Sequence, residues 1–190
     1  MITEQQYKQI ADDLGIEVAV IKAVEKVESR GEAFLSSGEP KILFEPHVFW
    51  RELERKGINP NDYLPAYSSI LNSKWKAIPY GKVSQQHGKL QKAVEIDRES
   101  ALKSCSWGKF QIMGFNYKLC GYSSVQDFIN AMYKDEYNHL LAFVNFIKSA
   151  GLVKYLKTKN WAKFAEGYNG KSYKVHKYDI KLENAYNSFS

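Results

Sequence analysis

The chain has 190 residues, 44% of them hydrophobic and 14% aromatic, which is enough to bury a core without disulfides or metals and excludes a disordered or fibrous protein. Its formal charge of +6 sits in the C-terminal third: residues 148–190 carry nine lysines against Glu166, Asp179 and Glu183, while the first 147 residues balance at eighteen basic and eighteen acidic. No stretch approaches the roughly 20 apolar residues that span a bilayer, and the polar start MITEQQYKQIADD is not expected to act as a secretion signal.

Taken in chain order, the elements are mostly helices. Thr3 and Gln6 form a capping box that predicts a short helix ending near Gly15. A second helix is expected from Glu17 to Ser29, with Gly31 just past its end. Lys41 to Phe44 (KILF) reads as a strand of a small hairpin, and Pro46 suits the first turn of a helix reaching Lys56. Residues 57–89 are rich in loop signals, too long for an idle connection, and are expected to border a cleft. A helix is expected through Leu90, Ala93, Val94, Asp97 and Leu102, and SCSWGKFQIMG then reads as a tight turn into a short buried helix. From Ser123 or Ser124 one long helix is expected to run to Gly151, followed by helices at Trp161–Tyr168 and Lys181–Phe189. Repeats, linkers and low-complexity tracts are lacking, so residues 1–190 read as a single, mainly helical domain.

Few groups are arranged for chemistry. His47, His87, His139 and His176 are scattered, without metal-ligand spacing, so neither a metal nor another cofactor is expected. Cys105 and Cys120 read as two reduced thiols and as small apolar residues rather than nucleophiles. Glu28 is different. On the second helix Ile16, Val20, Val24 and Val27 form the apolar stripe, Lys22 and Lys26 lie opposite, and Glu25 falls at the border. Glu28 projects between Val24 and Ile21, where lost hydration and the negative end of the helix both favour its protonated form. A protonated carboxyl is what the departing oxygen of a glycosidic bond requires. The bland alternative is a rim glutamate paired with Arg30.

Three segments decide between these readings. Val27-Glu28-Ser29-Arg30-Gly31 resembles the Glu-Ser motif of the lysozyme-like superfamily. Ser106-Trp107-Gly108-Lys109-Phe110-Gln111-Ile112 resembles the Gly-x-x-Gln-Ile motif of goose-type lysozymes and lytic transglycosylases, and Glu166-Gly167-Tyr168-Asn169-Gly170 resembles their Ala-Tyr-Asn motif. With KILFEPHVF between them, the whole pattern is similar to the phage and prophage N-acetylmuramidase family, over nearly the full chain. The resemblance implies an α+β lysozyme-like fold, a helical bundle around a central helix with a small β-hairpin beside the cleft. It implies an endolysin that cuts the β-1,4 bond from N-acetylmuramic acid to N-acetylglucosamine in peptidoglycan.

Carried over by motif, Glu28 is the general acid, Glu45 its partner carboxylate, and Ser106, Gln111, Tyr168 and Asn169 the substrate-contacting or acid-orienting residues. Asp97 is the alternative second carboxylate. Glu45 precedes a proline at a helix start, whose extended geometry and positive end suit a carboxylate; a helix-capping role is the alternative. Glu166-Gly167 departs from the Ala-before-Tyr pattern and puts the placement of Tyr168 in question. Phe44, Trp50 and Trp107 are expected either in the cleft or in the core. Rival readings are a lytic transglycosylase, forming 1,6-anhydro ends, and a basic module that binds nucleic acid or envelope without catalysis. On the favoured reading the protein is a monomer and binds no nucleic acid. It is made in the host cytoplasm, reaches the wall after holin-type permeabilisation, and has a lysine-rich end free to touch an anionic envelope surface.

Overall fold

The computed structural model describes residues 1–29 and 31–190. Helix α1 (Glu4–Leu14) starts at the expected capping box: Gln6 N donates to Thr3 Oγ1 at 3.3 Å, and Thr3 N donates to Gln6 Oε1 at 2.9 Å. Gly15, at φ 63°, ends it with its N–H on the carbonyls of Ala11 and Asp12. Helix α2 (Val18–Glu28) follows, then strand β1 (Ile42–Phe44) and helix α3 (Pro46–Arg55), which has Pro46 in its first turn as expected. Residues 56–82 are mainly loop around one 3-10 turn at Pro60–Tyr63, up to the edge of helix α4 (Gln86–Val94).

Beyond this point the structure corrects several expectations. The helix expected through residue 102 stops at Val94 and restarts as α5 (Arg98–Lys103), because the Asp97 side chain accepts from Ser100 N and caps the new helix. SCSWGKFQIMG is not a turn into a buried helix. It forms strands β2 (Cys105–Trp107) and β3 (Ile112–Met113), so the small hairpin is a three-stranded sheet of order β1-β2-β3. The long helix expected up to Gly151 is two, α6 (Val125–Met132) and α7 (Glu136–Ser149), divided where Asp135 caps the second. Helix α8 (Val153–Lys157) was not expected; α9 (Trp161–Asn169) was, and the last helix, α10 (Tyr178–Asn187), starts one turn early.

The helices form two groups, with α1, α2, α9 and α10 packed on one side and α3, α4, α5 and α6 on the other. Helix α7 touches both through α1 and α6, and buries His139, Leu140, Ala142, Phe143, Val144 and Ile147. It is the central helix of a mainly α fold with a small antiparallel sheet. The sheet is two-faced. Register pairs Ile42 with Trp107, Phe44 with Cys105, and Trp107 with Ile112, and all five are buried in the core. The opposite face carries the row Leu43, Ser106, Met113, and β3, at the Met113 end of that row, lines the candidate site. Among the described residues no helix is long and apolar enough to cross a membrane.

Candidate active site

Glu28 is the last residue of α2 and is only 6% exposed. Val20, Ile21, Ala23 and Val24 are buried beside it, while Val27 is half-buried, so the apolar arc is centred closer to Glu28 than the stripe predicts. Arg30, the alternative partner considered for Glu28, lies outside the described residues. Asn169, the last residue of α9, donates from Nδ2 to Glu28 Oε1 at 3.0 Å. These two residues line a cavity of about 300 Å³ together with Gln111, Ile112, Met113 and Tyr168, with Phe110, Asn116 and Phe146 completing the wall. Two chain segments separated by 141 positions thus meet on one carboxyl group.

Gln111 holds the sheet side of this wall. It sits at φ 51°, and its Nε2 donates to Lys41 O at 3.1 Å and Gly108 O at 2.8 Å. Its Oε1 accepts from Ser106 Oγ at 2.9 Å. Both amide hydrogens are therefore engaged inside the protein, with Ser106 behind them. Gly108 allows this turn: it lies at φ 68°, and a Cβ there would come within 2.7 Å of His139 Nδ1. Tyr168 stands on the opposite wall, its ring stacked on Phe164 at 6.0 Å and edge-on to Phe143 at 5.2 Å. The departure at Gly167 has a local cause, since a Cβ there would meet Leu152 Cδ2 at 2.4 Å. Glycine lets α9 approach the start of α8, which leaves Tyr168 in the cavity wall.

Glu45 does not line this cavity. It follows β1 in extended geometry, φ −110° and ψ 97°, at the N-terminus of α3, and its side chain makes no capping bond. Strand alternation puts it on the Leu43 side of the sheet, the side that leads to Met113 and the Glu28 cavity. Tyr80 donates its hydroxyl to Glu45 Oε2 at 2.7 Å, and His47 Nδ1 lies 3.4 Å from the same oxygen. Burial, then the Glu45 carboxylate, push the Tyr80 hydroxyl up to about 12. Asp97 belongs elsewhere: it caps α5 and pairs with Lys56 Nζ at 2.7 Å. Burial opposes its charge, but Lys56 and Ser100 outweigh this and hold it below its ordinary value. Phe44 and Trp107 are core residues, and Trp50 is half-buried with its Nε1 on Glu54 Oε1 at 2.9 Å.

One part of the site was missed from the sequence. Glu25, placed at the border of the helix face, is 8% exposed, accepts the Tyr7 hydroxyl and pairs with Lys109. Lys109 also reaches Glu136 at 3.1 Å, and its backbone N–H donates to His139 Nδ1 at 3.1 Å. The other ring nitrogen of His139 is 2.7 Å from Met132 O, so it carries the proton there. Burial is the main cause that lowers the His139 value, and for Lys109 burial is outweighed by Glu25 and Glu136. This network ties α2, one turn before Glu28, to the loop before Gln111. The signal available was Lys109 inside the SWGKFQIM segment. Cys105 and Cys120 are buried free thiols, both pushed up by burial. Among the described residues no three His, Cys, Asp or Glu side chains gather as a metal site.

The family model described as N-acetylmuramidase matches residues 17–190. Among solved structures, the crystal structure of the endolysin of Burkholderia phage AP3 is similar, with 39% identity and a TM-score of 0.90. The match covers 99% of this chain and 71% of that one. No curated protein matches.

Proposed function

The chain belongs to the N-acetylmuramidase family, a glycoside hydrolase that degrades peptidoglycan, and on that premise we propose that Glu28 is the group that protonates the departing glycosidic oxygen. The observation that carries this is a carboxyl almost sealed from water yet forming part of a cavity wall, with Asn169 donating to one of its oxygens. Such a donor fixes the rotamer of the acid, so that its proton is presented in one direction. Tyr168 and the Gln111 turn form the walls against which a sugar ring is placed, Gln111 by shaping the turn with Ser106 and Tyr168 by its ring and hydroxyl.

Glu45 is the carboxylate on the other side, stabilising the oxocarbenium-like transition state or activating water. What supports it is its position at the end of the sheet face that leads to the Glu28 cavity, with Tyr80 holding its orientation. The family match does not favour a transglycosylase or a nucleic-acid-binding module. The protein acts as a monomer, made in the host cytoplasm and released to the wall by membrane permeabilisation. Exposed Lys154, Lys157, Lys171, Lys174, Lys177 and Lys181 support contact with an anionic envelope surface.

The test is digestion of purified peptidoglycan by wild type and Glu28→Gln, followed by mass spectrometry. Wild type should leave reducing-end N-acetylmuramic acid, and Glu28→Gln should lose about two to four orders of magnitude in rate. Wild-type clearing by Glu28→Gln would remove Glu28 from the chemistry.

A further inference from the structure

The loop between α3 and α4 exposes one of the four tryptophans, Trp75, to 65%. A single exposed aromatic is unremarkable in itself, but this one is held in place. Lys76, in the left-handed region at φ 57°, folds back so that its Nζ lies 4.2 Å from the centre of the Trp75 ring. One face of the indole is therefore engaged by a cation and the other is presented outward. Five residues further along the same loop, the Tyr80 hydroxyl donates to Glu45 Oε2 at 2.7 Å.

The backbone under this chain is fastened as well. Gln86, 1% exposed, donates from Nε2 to Tyr80 O at 2.7 Å and to Lys82 O at 3.1 Å, while its Oε1 accepts from Phe44 N at 3.0 Å. Lys89 Nζ adds bonds to Pro79 O at 3.2 Å and Tyr80 O at 2.7 Å. A buried amide thus locks the loop to the edge strand at the residue before Glu45. An exposed aromatic on a loop that is fastened to β1 and bonded to Glu45 is arranged for contact.

We propose that Trp75 is a stacking platform for the glycan strand, its open face receiving the apolar side of an N-acetylhexosamine ring next to Glu45. A gluco-configured pyranose sets the axial C–H groups of C1, C3 and C5 on one face, and that weakly positive surface complements the negative face of an indole. The Lys76 ammonium stays behind the ring, and the loop that carries both also sets the Tyr80 hydroxyl on Glu45. This extends the site by one sugar ring beyond the Glu28 cavity, and it rests on the reading that the strand runs between Glu28 and Glu45.

The experiment measures initial rates on soluble, uncrosslinked glycan strands for wild type, Trp75→Ala, Trp75→Phe and Glu28→Gln. Trp75→Ala should raise KM about five- to tenfold, the range of one aromatic contact, with kcat within about twofold and an unchanged Tm. Trp75→Phe, which keeps a ring, should recover most of that loss. A KM for Trp75→Ala within about twofold of wild type overturns the proposal, as does a Trp75→Phe variant impaired as much as Trp75→Ala. Wild-type turnover by Glu28→Gln is a separate failure, of the catalytic reading beneath it, and is seen whatever Trp75 does.

Discussion

At the scale of single residues, the two acids weighed as partner to Glu28 are distinguished by what surrounds them. Asp97 is committed to a helix: it accepts from Ser100 N at 2.9 Å and holds Lys56. Glu45 stands at the start of a helix without capping it, so its oxygens turn to Tyr80 and His47 instead. Glu45→Gln should therefore lower kcat on peptidoglycan by about two to four orders of magnitude and leave Tm nearly unchanged. Asp97→Ala should do the reverse, keeping kcat and costing about 1 kcal/mol of stability as a lost cap, read from denaturant unfolding at neutral pH. The sign of its pH dependence follows from a folded value held below 3.8. The contribution of Asp97 is present above the unfolded value and lost as pH falls through the folded one, so the deficit of Asp97→Ala should shrink in acid. A variant of Asp97 that stays folded but loses turnover would reverse the two assignments.

At the scale of elements, what could be read from the sequence was what local chemistry decides. The Thr3/Gln6 box, Gly15 and Pro46 each act within one turn of the chain, and α1, α2 and α3 stand within a residue or two of their expected bounds. The failures have one physical origin. Strands of three and two residues have too little alternation to show, and β2 exists because β1, some sixty positions upstream, pairs with it, while β3 pairs with β2 in turn. Asp97 and Asp135 interrupt apolar patterns that continue across them, because a carboxylate that caps the next helix outweighs periodicity. For the site, motif order found Glu28, Gln111, Tyr168 and Asn169, which meet in one cavity. It did not find Tyr80 or Gln86, which carry no motif and matter only because the loop folds back onto β1.

The ionic network behind the site shows the same dependence on distant partners. Lys109 is 18% exposed in its side chain and lies between Glu25 and Glu136. Replacing it by Met leaves two acids in a poorly solvated place with no cation, and breaking such a cluster costs about 3–5 kcal/mol where burial is complete. Partial exposure reduces that figure, so Lys109→Met should lose roughly 2–3 kcal/mol in denaturant unfolding. Because the same residue fixes the loop leading to Gln111, its kcat should fall even where the variant is fully folded. Full activity in a folded Lys109→Met protein would show that the network supports the fold and not the cleft.

At the scale of the whole molecule, charge is divided in a way that the chemistry of the cleft does not require. The first 147 residues are neutral on balance, and all of the net charge is in the last 43, which build α8, α9 and α10. Lys171, Lys174, Lys177 and Lys181 lie within about three turns of chain and are exposed, together with Val175 and Ile180. Peptidoglycan and the envelope around it are anionic, so such a surface would concentrate the enzyme on an insoluble substrate without touching the bond that is cut. This predicts a difference between substrates. Changing the four lysines to Gln should slow lysis of outer-membrane-permeabilised cells severalfold at about 0.05 M salt while leaving rates on soluble glycan fragments unchanged. Raising the salt to about 0.5 M should slow wild type toward the variant, because charges are then screened within several ångströms. An equal loss on both substrates would place these lysines in the active cleft or in the fold, and no loss on cells would leave them as a solvated surface.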